Sequence, residues 1–394
     1  MMCLLKQAIL PIKCKYKIPT KQYLDQGKYP VIDQGQEFIG GYTNDEAGVI
    51  SQLPVIVFGD HTRVFKYVDF PFVAGADGVK IFQAKSCLLP KLLFYFLQAV
   101  TLPDRGYARH YQYLVKSMIP VPPLAEQKRI VKKIEELFGV IDEQVKRLEA
   151  TQEALVSYRQ SLLQQAFSGK LHKATDWKKI TLQEAVDINP KTVLPALSDS
   201  EMVSFLPMPA VQEESLEYAE QKSSFGKVKK GYTKFRDEDV LFAKITPCME
   251  NGKGCIVHNL SHGIGFGSTE FHVLRCHKDV SPKFIYYFVI RRTFRAEAKN
   301  KMSGAVGQQR VPAEFLKEYS FACPSLPEQK AIVKKIENAF AFADKAQAAI
   351  TGALEQAKQL KQSILKRAFE GKLVPQDPND KPVDLTQLKK DKHK

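Results

Sequence analysis

A long internal repeat constrains this chain more than any other feature. Residues 124–135 (LAEQKRIVKKIE) recur as residues 326–337 (LPEQKAIVKKIE), an offset of 202 positions. Residues 166–171 (AFSGKL) recur at the same offset as residues 368–373 (AFEGKL). The stretch between these anchors therefore has the same length in both copies. Because a loop tolerates changes of length and a helix in register with a partner does not, we interpret each copy as one long helix.

The ends of both copies carry signals that are typical of helix termini. Ser325 and Glu328 form a capping-box pattern, and Glu126 in the first copy places negative charge in the first turn. Gly169 and Gly371 stand where a left-handed C-terminal cap is expected. About 44 residues at 1.5 Å each give a helix of roughly 66 Å.

Apolar residues recur in each helix with the 3.5-residue spacing of a coiled coil. We expect the helices to pair within the chain and to run antiparallel; the alternative is two amphipathic helices on separate cores. The proposed seam positions are Ile134, Leu137, Ile141, Gln144, Leu148, Thr151, Leu155, Tyr158 and Leu162, and then Ile336, Ala339, Ala343, Ala346, Ile350, Ala353, Ala357, Leu360 and Ile364.

Two globular segments precede the two helices in the sequence, one before each, and we expect the paired helices to separate them, which predicts an α+β fold with pseudo-two-fold symmetry. Both have strand-like runs between Gly and Pro residues, and both continue with Pro-Lys before an apolar helix, at Pro90 and Pro282. The predicted boundaries are lobe 1 at 1–118, a first conserved helix region at 119–172, lobe 2 at 173–322, a second at 323–374, and a polar basic tail at 375–394. Lobe 2 opens with residues 176–182 (DWKKITL), which have no equivalent in lobe 1, so we expect lobe 1 to be shortened at its first strand.

Composition favours a polyanionic partner and a reducing compartment. Lys and Arg outnumber Asp and Glu by 58 to 43, giving a net charge of +15, although a basic solvated surface would look the same. The seven cysteines include no CxxC pair, and we find no secretory signal or membrane-spanning stretch, so we expect a cytoplasmic protein. Cys248, Cys255, His258 and His262 raise the question of zinc, but their spacing matches no ligand pattern.

The sequence lacks the motifs of common catalytic sites. There is no Asn/Asp-Pro-Pro-aromatic motif of a methyltransferase, no phosphate-binding loop and no Gly-x-Ser-x-Gly elbow. We therefore expect no catalytic residues and no metal in this chain. An enzyme built from scattered residues stays a minor alternative.

Loops rich in Gly, Gln and cations are the candidates for DNA contact, since glycine allows close approach and Gln and Arg can pair with base edges. In lobe 2 the candidates are Lys227, Lys229, Lys230, Lys234, Lys244, Asn251, Lys253, Ser303, Gln308, Gln309 and Arg310. For the four lysines between positions 227 and 234, the alternative is a solvent-exposed hairpin without DNA contact. A basic helical face at Arg291, Arg295 and Lys299 is a further possibility. In lobe 1 the candidates are Asp60, His61, Thr62, Arg63, Asp77, Arg105, Tyr107, Arg109, His110 and Tyr111.

The segments at 123–128 (PLAEQK) and 325–330 (SLPEQK), with both helices ending Ala-Phe-x-Gly-Lys-Leu, resemble the conserved regions of the specificity subunits of type I restriction–modification systems. The resemblance implies that the lobes are target-recognition domains and that the helices act as a ruler between them. It implies two modification (methyltransferase) subunits and a restriction subunit as partners on double-stranded DNA. S-adenosylmethionine and ATP with magnesium would bind those subunits, and this chain would bind no cofactor.

Residues of the conserved regions would then serve in subunit docking or in the helix pair: Leu124, Glu126, Gln127, Ile141, Leu148, Leu326, Glu328, Gln329, Ile350 and Leu360. The main alternative function is a two-headed protein-binding scaffold without DNA recognition. A further one is a specificity subunit that is silent alone and exchanges lobes by recombination.

Overall fold

A computed structural model describes residues 2–14, 16–76, 78–103, 106, 109–171, 177–305 and 307–384 of the chain. The chain divides into two compact units, one formed by Met1–Glu149 with Thr351–Lys394 and the other by Ala150–Ile350. Two helices of 44 residues each contribute one part to each unit. Each unit therefore contains one lobe and parts of both long helices.

Lobe 1 is built from two four-stranded sheets and a separate strand pair. Its helices and strands among the described residues are β1 (Met2–Leu4), α1 (Leu5–Ala8), β2 (Ile9–Ile12), β3 (Tyr29–Ile32), β4 (Gly41–Thr43), β5 (Val49–Ile50), β6 (Val55–Gly59), β7 (Phe65–Val68), β8 (Phe72–Ala74), β9 (Val79–Ala84), α2 (Pro90–Ala99), α3 (Tyr111–Leu114) and β10 (Met118–Pro120), followed by the long helix α4 (Leu124–Phe167). The sheets have the orders β2-β9-β6-β7 and β4-β3-β8-β5, and β1 pairs with β10. Among these strand pairs β3 and β8 run parallel and the others antiparallel.

Lobe 2 repeats this topology strand for strand. Its sheets have the orders β12-β19-β16-β17 and β14-β13-β18-β15, β11 pairs with β20, and β13 and β18 form the parallel pair. Its elements are β11 (Lys178–Thr181), α5 (Leu182–Ala185), β12 (Val186–Ile188), β13 (Met202–Leu206), β14 (Gln221–Ser224), α6 (Phe225–Val228), β15 (Thr233–Arg236), β16 (Val240–Ala243), β17 (Gly254–Ile256), β18 (Ile264–Gly267), β19 (Phe271–Cys276), α7 (Pro282–Val289), α8 (Arg292–Asn300), α9 (Ala313–Glu318) and β20 (Ser320–Cys323), followed by the long helix α10 (Leu326–Phe369).

Lobe 1 has a first strand, and it is three residues long where the equivalent strand of lobe 2 has four. Met2–Leu4 pairs antiparallel with Met118–Pro120, just as Lys178–Thr181 pairs with Ser320–Cys323 in lobe 2. A three-residue strand is held by its partner's backbone groups, and too few of its side chains are buried to leave a periodic pattern in the sequence. The first strands of the two lobes therefore have unrelated sequences but the same backbone pairing.

The core of each lobe comes from apolar strands covered by a short amphipathic helix. Every residue of β6 and of β16 is buried, as expected for central strands with both faces covered. In unit 1, Phe96 of α2 packs edge-on against Phe369 at the end of α10, with ring centroids 5.6 Å apart. In unit 2, Phe288 of α7 packs in the same way against Phe167 at the end of α4, at 5.5 Å. The conserved helix ends are therefore part of the lobe cores.

In both units α4 and α10 pack side by side and antiparallel. In unit 1, Lys361 forms an ion pair with Asp142, while Arg129, earlier on α4, pairs with Asp380 beyond the end of α10 at 2.6 Å. The Lys361 ammonium also lies 5.1 Å from the ring centre of Phe138. The sequence prediction of an intrachain antiparallel helix pair is confirmed.

Unit 2 repeats the central ion pair and the cation–aromatic contact at positions related by the repeat. Arg159 pairs with Asp344 and lies 5.0 Å from the ring centre of Phe340, and Lys335 Nζ donates to the carbonyl of Leu171 at 3.0 Å. Arg159, Asp344 and Phe340 stand 202 positions from Lys361, Asp142 and Phe138 in the sequence. The repeat therefore specifies the helix contacts as well as the helix lengths.

The predicted heptad seam fails at four positions: Gln144 and Thr151 in the first helix are exposed, and so are Tyr158 and Leu360, which are related by the repeat. Leu360 is 52% exposed and Tyr158 is 43% exposed, so neither lies between the helices. Their neighbours Lys361 and Arg159 turn inward instead. A straight α-helix with 3.6 residues per turn drifts by about 20° per heptad from a 3.5-residue pattern, which moves the contact by one residue after several heptads. Ile141 and Ile350 are buried as predicted, and Leu148 is half-buried.

Candidate nucleic-acid interface

In lobe 1 three loops meet at the ends of β6 and β9, at the place where the sequence suggested DNA contacts. The backbone N–H of Asp60, after β6, donates to the carbonyl of Gly78 before β9 at 2.7 Å. The Asp60 carboxylate accepts from the backbone N–H of Tyr111 at 2.6 Å, and the Asp60 carbonyl accepts from that of His110 at 3.0 Å. These bonds join the loops into one surface.

The same bonds correct two of the predicted DNA contacts. Asp60 is 3% exposed and His110 is fully buried, with its Nδ1 3.0 Å from the Asp60 carbonyl oxygen. Both residues hold the loops together and cannot reach a base edge. Tyr111 is half-buried with its ring centroid 6.4 Å from that of Phe58, and burial raises the pKa of its phenol.

The exposed part of this surface includes a loop that the sequence analysis missed. The Thr62 hydroxyl donates to the carbonyl of Gln34 at 2.6 Å, and Gln34 Oε1 accepts from the backbone N–H of His61 at 3.4 Å. Gly78 has a φ of +82°, and a Cβ there would lie 2.6 Å from Gln34 Oε1, so only glycine fits. Gln34 therefore sits between the His61–Thr62 turn and Gly78.

A buried lysine holds the Gln34 loop in place. Lys66 is 3% exposed, and its ammonium donates to the carbonyl of Glu37 at 2.5 Å and lies 3.6 Å from Asp33 Oδ1. Burial lowers the pKa of Lys66, and the nearby Asp33 opposes that shift. Asp33 also accepts from the backbone N–H of Gly35 at 2.8 Å, forming an Asx turn. The run Asp-Gln-Gly-Gln at 33–36 was the signal that could have identified this loop.

The other predicted contacts of lobe 1 are divided between exposed residues and undescribed ones. Arg63, with a φ of 63°, and Arg109 are exposed at the same end of the lobe. The predictions for Asp77, Arg105 and Tyr107 fall outside the described residues.

In lobe 2 the equivalent loops meet around Arg310. Its guanidinium donates through Nε and Nη2 to the two carboxylate oxygens of Glu270, both at 2.9 Å, and Nη1 donates to the carbonyl of Gln308 at 2.9 Å. Its backbone bridges to Ile245 and to Ser303. The Arg310 guanidinium, a predicted DNA contact, is therefore engaged within the lobe, and Arg310 positions the Gln308–Gln309 turn.

Several predicted contacts in lobe 2 stay accessible around this turn. Gln308 and Ser303 are exposed, and Gln309 is half-buried with its carbonyl accepting from the backbone N–H of Thr246 at 3.0 Å. Lys244 is half-buried and donates its backbone N–H to the carbonyl of Glu270 at 2.9 Å, which places it in the same group of loops. These residues form the described polar surface of lobe 2 at the ends of β16 and β18.

Three of the remaining DNA-contact candidates of lobe 2 have partners within the protein. Asn251 Nδ2 donates to Glu213 Oε1 at 2.8 Å, and Lys253 Nζ lies 3.5 Å from the carbonyl of Met208. Lys229 pairs with Asp199 at 2.6 Å. Lys227 and Lys230 are exposed, and Lys234 is half-buried in β15.

The suggested basic face at Arg291, Arg295 and Lys299 is wrong. Arg295 is 5% exposed and forms an ion pair with Glu214. Arg291 lies before α8 and stacks on Phe288, with its guanidinium carbon 4.1 Å from the ring centre. Burial lowers the pKa of Arg291 to about 10. Lys299 alone of the three has a largely exposed side chain, and it pairs with Glu250 at 3.2 Å.

Two of the predicted docking residues are buried inside their lobes. Gln127 is 0% exposed; its Oε1 accepts from the backbone N–H of Leu89 at 2.8 Å, and its Nε2 donates to the carbonyls of Cys87 and Pro122, both at 2.9 Å. Gln329, 1% exposed, makes the same three bonds to Ser281, Asp279 and Pro324. Each glutamine ties the start of its long helix to the start of α2 or α7, so it cannot touch a partner subunit.

The other residues at the helix starts differ in exposure. Glu328 caps α10, because its carboxylate accepts from both the backbone N–H and the hydroxyl of Ser325. Glu126 is 6% exposed, and burial raises the pKa of its carboxyl. Leu124 is 44% exposed, and Leu326 is half-buried.

Among the described residues, no three His, Cys, Asp or Glu side chains lie together in a way that could hold a metal ion. Of the residues considered for zinc, Cys255 is buried in β17, and burial raises the pKa of its thiol. None of the described helices is long and apolar enough to cross a membrane.

Comparison with known proteins agrees with this architecture. The specificity subunit of the type I restriction enzyme EcoAI from Escherichia coli is 32% identical over 252 residues, covering 52% of this chain and 42% of that protein. The EcoKI specificity subunit from Escherichia coli K12 is 27% identical over 275 residues, covering 66% and 58%. The chain thus spans about half the length of these relatives.

Two solved structures have a similar fold. One is a chain from a study of the assembly and conformational transition of the type I restriction–modification system, with a TM-score of 0.68 at 18% identity, covering 95% of this chain and 98% of that one. The other is the HsdS subunit from Thermoanaerobacter tengcongensis, with a TM-score of 0.50 at 18% identity, covering 95% and 97%.

A family profile described as the type I restriction modification DNA specificity domain matches twice, at residues 7–150 and 174–356. The two matches together span most of the chain, and each includes one of the two lobes described above. This chain therefore belongs to the family of type I restriction–modification DNA specificity subunits.

Proposed function

We propose that this chain is the DNA-reading subunit of a type I restriction–modification complex and that each lobe reads one half of a bipartite, asymmetric target. One observation carries this proposal. The two lobes share one topology, yet their loops present different side chains. After β6 lobe 1 has His61 and Arg63, whereas after the equivalent strand β16 lobe 2 has Lys244. Lobe 1 adds Gln34 from the loop after β3, and lobe 2 adds Gln308 and Gln309 from the loop before α9. Equal backbones with unequal polar surfaces suit the reading of two different base sequences.

The rest of the complex follows from the same proposal. Two methyltransferase subunits would dock on repeat-related surfaces of the long helices and lobes, and restriction subunits would join them in the cytoplasm. S-adenosylmethionine would bind the methyltransferase subunits, and ATP with magnesium the restriction subunits. This chain would have no catalytic residue and would contribute recognition alone.

DNA binding can be tested with a matched pair of lysine variants. Lys244 lies among the candidate loops, whereas Lys278 is exposed beyond the opposite end of β19. The affinity for a random duplex, measured by fluorescence anisotropy with purified modification subunits, should fall steeply with salt. With about six phosphate contacts we expect a loss of roughly a thousandfold between about 50 and 200 mM.

The variant Lys244→Ala should lower the slope of log affinity against log salt by about one, and Lys278→Ala should leave it unchanged. A protein-binding scaffold would show no salt-dependent DNA affinity at all. Equal slopes for wild type and Lys244→Ala would remove this loop from the interface.

A further inference from the structure

A groove in unit 1 has an aromatic floor and a basic rim. It has a volume of about 730 Å³ and lies where α2 meets α4 and α10. Phe94, Tyr95 and Phe138 line the floor, and Lys358 and Arg63 stand at its edge. Among the described residues that line this groove, which we call the lobe 1 groove, none is acidic.

Unit 2 has a groove of about 670 Å³ at the positions related by the repeat. Tyr95 packs edge-on against Phe138 with centroids 5.8 Å apart, and Tyr287 packs against Phe340 in the same way at 5.7 Å. The two grooves therefore share a floor.

The groove of unit 2 is lined along one side by a segment of its own lobe, residues 212–217 (QEESLE). Leu216 packs against the apolar core of that unit. Gln160 of α4 donates to Glu214 Oε2 at 3.0 Å and accepts from the backbone N–H of Arg292 at 3.0 Å. An acidic peptide with one apolar side chain thus lies on this kind of groove within the protein itself.

The described lining of the lobe 1 groove contains no corresponding acidic segment. It comes from α2, from Val100 and Leu102 just after that helix, from α4 and α10, and from the stretch at Arg63 and Phe65. Gln362, which stands 202 positions from Gln160, is exposed, and its side-chain amide makes no hydrogen bond with any described residue. Lys358 is exposed on the same helix. The groove therefore combines an open amide, free space above aromatic rings and positive charge.

We propose that the lobe 1 groove binds an acidic peptide segment of a partner chain, in the way that residues 212–217 line the equivalent groove of lobe 2. An apolar side chain of that segment would rest on the aromatic floor, Gln362 would bond its backbone or a carboxylate, and Lys358 would pair with a second carboxylate. Two observations favour an acidic peptide: the cations of the groove complement its charge, and residues 212–217 line the equivalent groove of lobe 2. The phosphates of duplex DNA could pair with the cations, but the duplex would place phosphates and sugars, and no apolar side chain, on the aromatic floor.

The probe is a fluorescein-labelled synthetic peptide with the sequence of residues 209–219 (PAVQEESLEYA). Binding to the full chain is measured by fluorescence anisotropy at low salt. We expect saturable binding that Lys358→Glu weakens by about fivefold or more, because attraction becomes repulsion. Lys366→Glu is the matched control: Lys366 is exposed on α10 and lies outside the groove, so that variant should bind as wild type does. A peptide carrying Leu216→Ser should bind more weakly than the original.

Three results would overturn the proposal: no binding to the wild-type chain, equal weakening by both lysine variants, or equal binding of a peptide with its three glutamates replaced by lysines. Displacement of the peptide by duplex DNA would assign the groove to nucleic acid instead. The Lys358→Glu protein should retain the DNA affinity of wild type, so failure of this proposal and failure of the DNA-reading function give different results.

Discussion

The two buried glutamines at the starts of the long helices offer the sharpest test of how the lobes are held together. Replacing Gln329 by leucine keeps nearly the same volume but removes the bonds at 2.8, 2.9 and 3.2 Å to Ser281, Pro324 and Asp279. Each lost hydrogen bond costs about 1–1.5 kcal/mol, the one to Pro324 being buried and the other two part-buried, and burying a leucine instead of an amide returns about 1 kcal/mol. We therefore expect Gln329→Leu to lower the free energy of unfolding by about 3 kcal/mol.

The same calculation applies to Gln127→Leu, whose three bonds have lengths of 2.8 to 2.9 Å. The control is Gln144→Leu, an exposed glutamine on α4, for which we expect a change within about 0.5 kcal/mol. Unfolding in urea gives the free energies, and hydrogen exchange at the starts of α2 and α7 shows which lobe has loosened. A loss of less than about 1 kcal/mol for either buried glutamine would refute the reasoning, as would loosening of the wrong lobe.

Three further changes test other parts of the structure. Glu270→Gln should release the Arg310 guanidinium. Because Arg310 holds the pKa of Glu270 below its usual range, the ion pair stabilises the wild type above about pH 4.5, by at most about 1 kcal/mol at this partly exposed site. This contribution should be absent from the pH dependence of urea unfolding of the variant. Burial lowers the pKa of His272 from 6.5, so the stability of lobe 2 should decline as the pH falls below about 6.5. A urea-unfolding midpoint that does not change between about pH 5 and pH 7 would contradict this. Ile141→Asp should unfold the helix pair of unit 1 in circular dichroism, with a cost of about 4 kcal/mol or more, whereas the matched change Leu360→Asp at an exposed position should cost less than about 1 kcal/mol.

The repeat predicted most of the architecture because its two copies must satisfy the same contacts. Both helices begin and end at repeat-related residues, Leu124–Phe167 and Leu326–Phe369. The positive φ angles of Gly169 and Gly371 confirm the predicted helix ends. Equal length was a sound guide to pairing, since each copy packs against the other through equivalent residues.

The predictions that were wrong depend on three-dimensional contacts, which a periodic sequence pattern does not specify. A heptad extended over 44 residues placed Leu360 in the seam, where the drift of a straight helix brings Lys361 instead. Asp60 and Arg310 have the side chains of base readers, yet backbone N–H groups and Glu270 take up their hydrogen bonds. The Gln34 loop was missed because the lysine that anchors it, Lys66, lies on another strand.

The most direct test of two separate readers is a map of the sites that the complex methylates in cells. The chain would be expressed with its modification subunits as wild type, as a Gln34→Ala variant of lobe 1 and as a Gln308→Ala variant of lobe 2, and methylated positions would be read by long-read sequencing. We predict one target of two unequal halves around an unread spacer, with each variant changing a different half and leaving the spacer length intact. A single continuous target, or a variant that changes both halves together, would contradict the assignment of one half-site to each lobe.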